Sequence, residues 1–68
     1  MSTVDARGLS CPEPVIMARE ALKSNESSYT IMVDNTASRE NVARFCRHQG
    51  YNVDIKANDG EYTLEISK

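Results

Sequence analysis

Tryptophan is absent from this 68-residue sequence, phenylalanine occurs once and tyrosine three times. So few large aromatic side chains argue against a deep ligand-enclosing cavity, and no cofactor is expected. Long apolar runs are missing as well. No stretch approaches the about twenty apolar residues of a membrane span, and Met1 to Ser10 lack the apolar core of a secretory signal. The chain is therefore expected in the cytoplasm, away from membranes. Ten acidic residues against eight Lys and Arg leave a net charge of −2 at pH 7. Such a balance supplies no general drive toward nucleic acid, and direct nucleic-acid binding is not expected. There is no internal repeat, no Ser- or Gly-rich linker, no phosphate-cradling glycine loop, no carboxylate pair and no Ser-His-Asp ordering. His48 has no neighbours in sequence that would complete a ligand set, so no metal site is expected.

Cysteine is scarce, with Cys11 and Cys46 the two examples and no Cys-x-x-Cys pair. That spacing argues against a thioredoxin-like dithiol cycle, and although the two could in principle pair, two thiols kept reduced in the cytosol is the simpler expectation. Residues 1–68 are read as one domain. A chain this short buries roughly 60% of its unfolded surface, so its core is thin. Its short start and finish also fit a domain of a longer protein.

The periodicity predicts strand, helix, strand, helix, strand, strand. Residues Thr3 to Ala6 form a short strand followed by a turn at Gly8. A helix runs from Cys11 to about Ser24, with Pro12 at its first position, Pro14 tolerated in its first turn, and Val15, Ala18 and Leu22 on the apolar side. Tyr29 to Val33 is a strand beside the first, with Tyr29, Ile31 and Val33 inward. Asp34-Asn35-Thr36 caps a second helix over Ala37 to Gln49, whose inner face is Val42, Phe45, Cys46 and Gln49, and Gly50 stops it. Two strands joined at Asn58-Asp59-Gly60 follow, with Tyr51, Val53, Ile55 and Ala57 inward on one and Tyr62, Leu64 and Ile66 on the other. Right-handed crossovers then put both helices on one face of a four-stranded mixed sheet, an α+β two-layer sandwich. The opposite face holds Thr30, Met32, Asp54, Lys56, Thr63 and Glu65 and is wet.

Chemistry concentrates at Cys11, where a loop enters a proline-started helix. Unpaired N–H groups and the positive end of the dipole favour a thiolate there, and can lower a cysteine pKa from about 8.5 toward neutrality. Glu13 suits that helix end, and Pro12 and Pro14 stiffen the backbone around the sulfur. Arg7 lies four residues earlier in the same loop and can add positive charge.

Residues Gly8-Leu9-Ser10-Cys11-Pro12-Glu13-Pro14 resemble the Cys-Pro-x-Pro signature of the TusA/SirA/YedF sulfur-carrier family. The resemblance covers the whole chain, and residues 34–42, Phe45 and Gln49-Gly50-Tyr51 look closer to the YedF branch. It implies a βαβαββ sandwich whose motif cysteine accepts sulfane sulfur, as a persulfide, from a cysteine desulfurase or rhodanese. That sulfur passes to a downstream acceptor protein, toward tRNA wobble-uridine thiolation in the TusA branch or toward selenium or other sulfur metabolism in the YedF branch. Such a protein is a sulfurtransferase-type carrier rather than a turnover enzyme.

The remaining candidates have simpler readings beside the functional ones. Ile16 and Met17 fall off the centre of the first helix's apolar stripe, as a docking rim or a core edge, and Arg19 and Lys23 are on its solvated side. Arg44, Arg47 and His48 are likewise solvated on the second helix, with Glu40 placed to pair with Arg44. A basic surface there can also guide an acidic protein partner or a tRNA-bound complex. Cys46 reads as a small core hydrophobe. Two rivals to sulfur relay are a thiol redox sensor using Cys11 and a regulatory or RNA- or protein-binding module that needs no sulfur chemistry.

Overall fold

The computed structural model describes residues 2–10 and 12–68. Its elements are β1 (Ser2–Asp5), α1 (Glu13–Leu22), β2 (Ser28–Val33), α2 (Thr36–His48), β3 (Asn52–Asn58) and β4 (Glu61–Ser67). They form a four-stranded mixed sheet in the order β1-β2-β4-β3, with β1 parallel to β2 and the other pairs antiparallel. Both helices pack on one face, α1 over β1 and β2, α2 over β4 and β3.

Register follows from the alternation of apolar side chains. Val4, Ile31, Leu64 and Ile55 stand opposite one another across all four strands, and Tyr29, Ile66 and Val53 form the next inward row. A one-residue slip would turn these rows to water. Against them α1 buries Pro14 and Ala18, and α2 buries Val42, Ala43 and Cys46. The solvent face runs through Met32, Thr63 and Lys56, then Thr30, Glu65 and Asp54, with Lys56 Nζ 2.8 Å from Glu65 across the strands.

Local signals set the element ends. The Asn35 side chain accepts the Ser38 N–H at 2.8 Å as the N-cap of α2. At the other end Gly50 has φ +89°, its N–H donates to the Arg47 carbonyl and the Tyr51 N–H to the Cys46 carbonyl, which makes a Schellman motif. Asp59 and Gly60 both have positive φ, as a type I′ hairpin turn requires. The Tyr29 hydroxyl accepts the Glu26 N–H at 2.6 Å and lies 3.5 Å from the Leu22 carbonyl, closing the end of α1.

Several expectations need correction, the first strand being Ser2–Asp5 rather than Thr3 to Ala6. Helix α1 starts at Glu13, because Pro12, at φ −100° and ψ 14°, is the N-cap whose carbonyl accepts the Ile16 N–H. It ends at Leu22, followed by turn residues and by Asn25 in the left-handed region. Gln49 is exposed because it caps α2 rather than facing inward. Ala57 is exposed too, near the hairpin turn on the edge strand β3.

Cys46 is a free thiol with no exposed surface, and burial pushes its pKa up to about 11. In a Cys11→Ser variant the remaining thiol should therefore stay unreactive toward Ellman's reagent in the native state and react fully in denaturant; fast native labelling would contradict this placement. Leu64 is fully buried in the middle of the sheet. Leu64→Ala should cost about 3 kcal/mol, read as a lower urea midpoint at unchanged slope.

Candidate functional site

Parallel pairing of β1 and β2 places the C-terminal ends of both strands at one end of the sheet. The two helices start there, so both positive dipole ends are gathered at this end. The β3–β4 turn arrives at the same end, since Tyr62 stands opposite Val33 at the close of β2. Loop residues 6–10 run across it.

That loop is held at three points. The Ala6 N–H continues the ladder by donating to the Met32 carbonyl at 2.8 Å. Gly8, at φ +80°, turns the chain and donates its N–H to an Asp34 carboxylate oxygen at 2.7 Å. Asn35 Nδ2 steadies the same carboxylate at 3.2 Å, so the β1–α1 loop is tied to the β2–α2 junction. The third point is Arg7: its guanidinium donates to both Asp5 oxygens at 2.8 and 2.9 Å and to Glu61 Oε1 at 3.2 Å. Asp5 and Glu61 thus take up the positive charge that the sequence offers to this loop. Arg7 acts as a strut between the loop and the hairpin.

At the start of α1 there is no side-chain cap, the Glu13 N–H is taken by the Ser10 carbonyl at 2.9 Å and Pro14 has no N–H to give. Fewer first-turn donors are therefore free than the sequence suggests, and what α1 offers this end is chiefly its dipole. Pro14 is buried while Pro12 and Glu13 are exposed, so one proline anchors the first turn and the other lies at the surface. Cys11 lies outside the described residues. Along α1 the exposed positions Pro12, Ile16, Arg19 and Lys23 recur at helical spacing. Ile16 is 41% exposed, the large apolar side chain most open to solvent among the described residues, whereas Met17 is half-buried against the core.

Asp34 and Glu61 escaped the sequence reading. Asp34 left a signal, an acidic residue just before a helix cap, but Glu61 is 54 positions from Arg7 and no spacing rule connects them. Among the described residues no group of three or more His, Cys, Asp or Glu is arranged to hold a metal ion, and no helix is long and apolar enough to cross a membrane.

The Arg7 side chain holds the Asp5 carboxyl down, from an ordinary 3.8 to about 2. A depressed carboxylate stabilises the fold above its unfolded value and loses that contribution as pH falls through its folded value. The stability advantage of wild type over Asp5→Asn should therefore be full at about pH 5 and shrink toward about pH 2, as read from urea unfolding at each pH. A difference that does not vary with pH would show that the strut contributes no linkage.

A family model described as sulfurtransferase TusA matches residues 2–68. The crystal structure of a SirA-like protein from Desulfitobacterium hafniense superposes with a TM-score of 0.87 at 35% sequence identity, covering 98% of this chain and 96% of that one. With a family match that runs over residues 2–68 and a superposition that covers nearly all of both chains, this chain belongs to the TusA family of sulfur carriers.

Proposed function

We propose that residues 1–68 act as one carrier domain that holds sulfane sulfur on Cys11 as a persulfide and relays it from a donor protein to an acceptor. The observation that carries this reading is the clamped loop. Gly8 and Arg7 are fixed on one side of Cys11 and buried Pro14 on the other, at the end of the sheet where two helix dipoles begin. A loop and a first helical turn fixed in this way on either side of the motif suit handover between proteins.

The chemistry takes two exchanges. The Cys11 thiolate attacks the outer sulfur of a donor persulfide; a new S–S bond forms, the donor S–S bond breaks and the donor leaves as thiolate. An acceptor nucleophile then takes that outer sulfur and Cys11 leaves as thiolate. The dipole of α1 favours the anion at the start and finish of the cycle. Donor and acceptor supply every other catalytic group. Exposed Pro12, Glu13, Ile16 and Arg19 form the surface a donor such as a cysteine desulfurase or rhodanese would cover, with Ile16 as its apolar centre. The cytoplasm is the compartment in which such thiols persist. The two routes that the Cys-Pro-x-Pro resemblance implies, tRNA thiolation and selenium or other sulfur metabolism, both draw on this one cysteine, and the likeness of residues 34–42 to the YedF branch leans toward the second.

Intact-mass measurement after incubation with a cysteine desulfurase and free cysteine tests the proposal. Wild type and Cys46→Ser should each gain the mass of one sulfur atom, removable by reductant, and Cys11→Ser should gain none. Failure of the folded, reduced protein to load from any sulfane donor would overturn the reading.

A further inference from the structure

A second surface feature lies on α2. Glu40, Arg44, Arg47 and His48, all exposed, line a groove of about 350 Å³. It follows the later turns of the helix and includes no residue of the motif loop or of α1. With a rise of 1.5 Å per residue, Arg47 is roughly 17 Å along the axis from the first residue of α2.

Most other cations of the chain are already engaged. Arg7 is held by Asp5 and Glu61, Lys23 by Glu20, Lys56 by Glu65 and Arg39 by Glu40, while Arg39 and Lys68 also lie over the rings of Tyr62 and Tyr51. Glu40 turns to Arg39 at 2.8 Å, and the pair with Arg44 that helical spacing suggests does not form. Among the described residues Arg44 and Arg47 have no carboxylate within ion-pair distance. Two like charges three residues apart on a helix repel each other, although Arg47, in the last turn, also suits the negative end of the helix.

We propose that this groove docks an acidic segment of a protein partner, two carboxylates meeting Arg44 and Arg47 and a basic donor meeting the second oxygen of Glu40, whose Oε1 is held by Arg39. Guanidinium forks donate to carboxylates and phosphates alike. The mixed lining decides between them. Glu40 in the groove and a chain of net charge −2 disfavour a polyanion such as RNA, whereas a protein surface can match both signs. The inference is independent of sulfur relay.

Isotope-labelled protein is titrated with two probes and followed by its amide NMR shifts. One probe is a helical peptide carrying two Glu one turn apart and a Lys one turn further; the other is a single-stranded RNA oligonucleotide of matched length. The peptide should shift amides 40–48, and the double variant Arg44→Glu, Arg47→Glu should weaken it about tenfold. A peptide with its charges exchanged should bind that variant and not wild type. Peptide shifts mapping elsewhere, no shifts at all, or tighter RNA binding at the same residues would each overturn the proposal. Loading of Cys11 from inorganic polysulfide should be the same in the double variant as in wild type; if neither loads, sulfur relay fails while the groove result stands on its own.

Discussion

Everything at the functional end depends on the parallel pairing of β1 with β2. An antiparallel pair could be joined by a tight turn and would leave its two connections at opposite ends of the sheet. The parallel pair, in register from Ser2 opposite Tyr29 to Asp5 opposite Met32, needs a crossover, and α1 is that crossover. Because α2 leaves β2 at the same end, the two helix starts, two loops and their polar clamps share one place. β1 is only four residues long, so its hold on β2 is reinforced just beyond the strand, by the Ala6 ladder bond and by Gly8 on Asp34. The short strand and the clamp form one device.

The architecture was readable because local and long-range signals agree. Alternation in residues 29–33 and 62–66, the Asn35 cap, the Gly50 stop and the Asp59-Gly60 turn each specify their own stretch of chain, and together they admit few topologies. What stayed hidden is of two kinds. Helix ends drifted by a residue or two because Pro12 can serve equally as a cap or as a first helical residue, and its backbone angles are decided by the loop before it. Partner choice among charged side chains was also concealed: Arg7 finds Glu61 across the fold, and Glu40 takes its immediate neighbour Arg39 in place of Arg44. Exposed ion pairs differ little in energy, so sequence spacing ranks them poorly. For the site, the motif itself was legible, whereas the carboxylates that hold the loop before it come from the end of β1, the β2–α2 junction and the start of β4.

Burial takes Cys46 out of the thiol chemistry. Cys46 is enclosed by the core and held protonated by desolvation, which removes it from competition for electrophiles without removing it from the chain. Its small apolar volume is what α2 needs against the sheet. Enclosed in this way, Cys46 is not open to an internal disulfide, so sulfur held on Cys11 in the proposed relay would pass to another molecule.

β4 is the last strand in the chain yet lies inside the sheet, between β2 and β3. Until it emerges during synthesis, β3 has no strand to pair with, β2 has one open edge and Arg7 lacks Glu61. The sheet therefore cannot close from its front end forward; the tie between Gly8 and Asp34 can form early, but the Glu61 anchor of Arg7 waits on the final segment, and a ribosome-bound or C-terminally clipped chain would lack it.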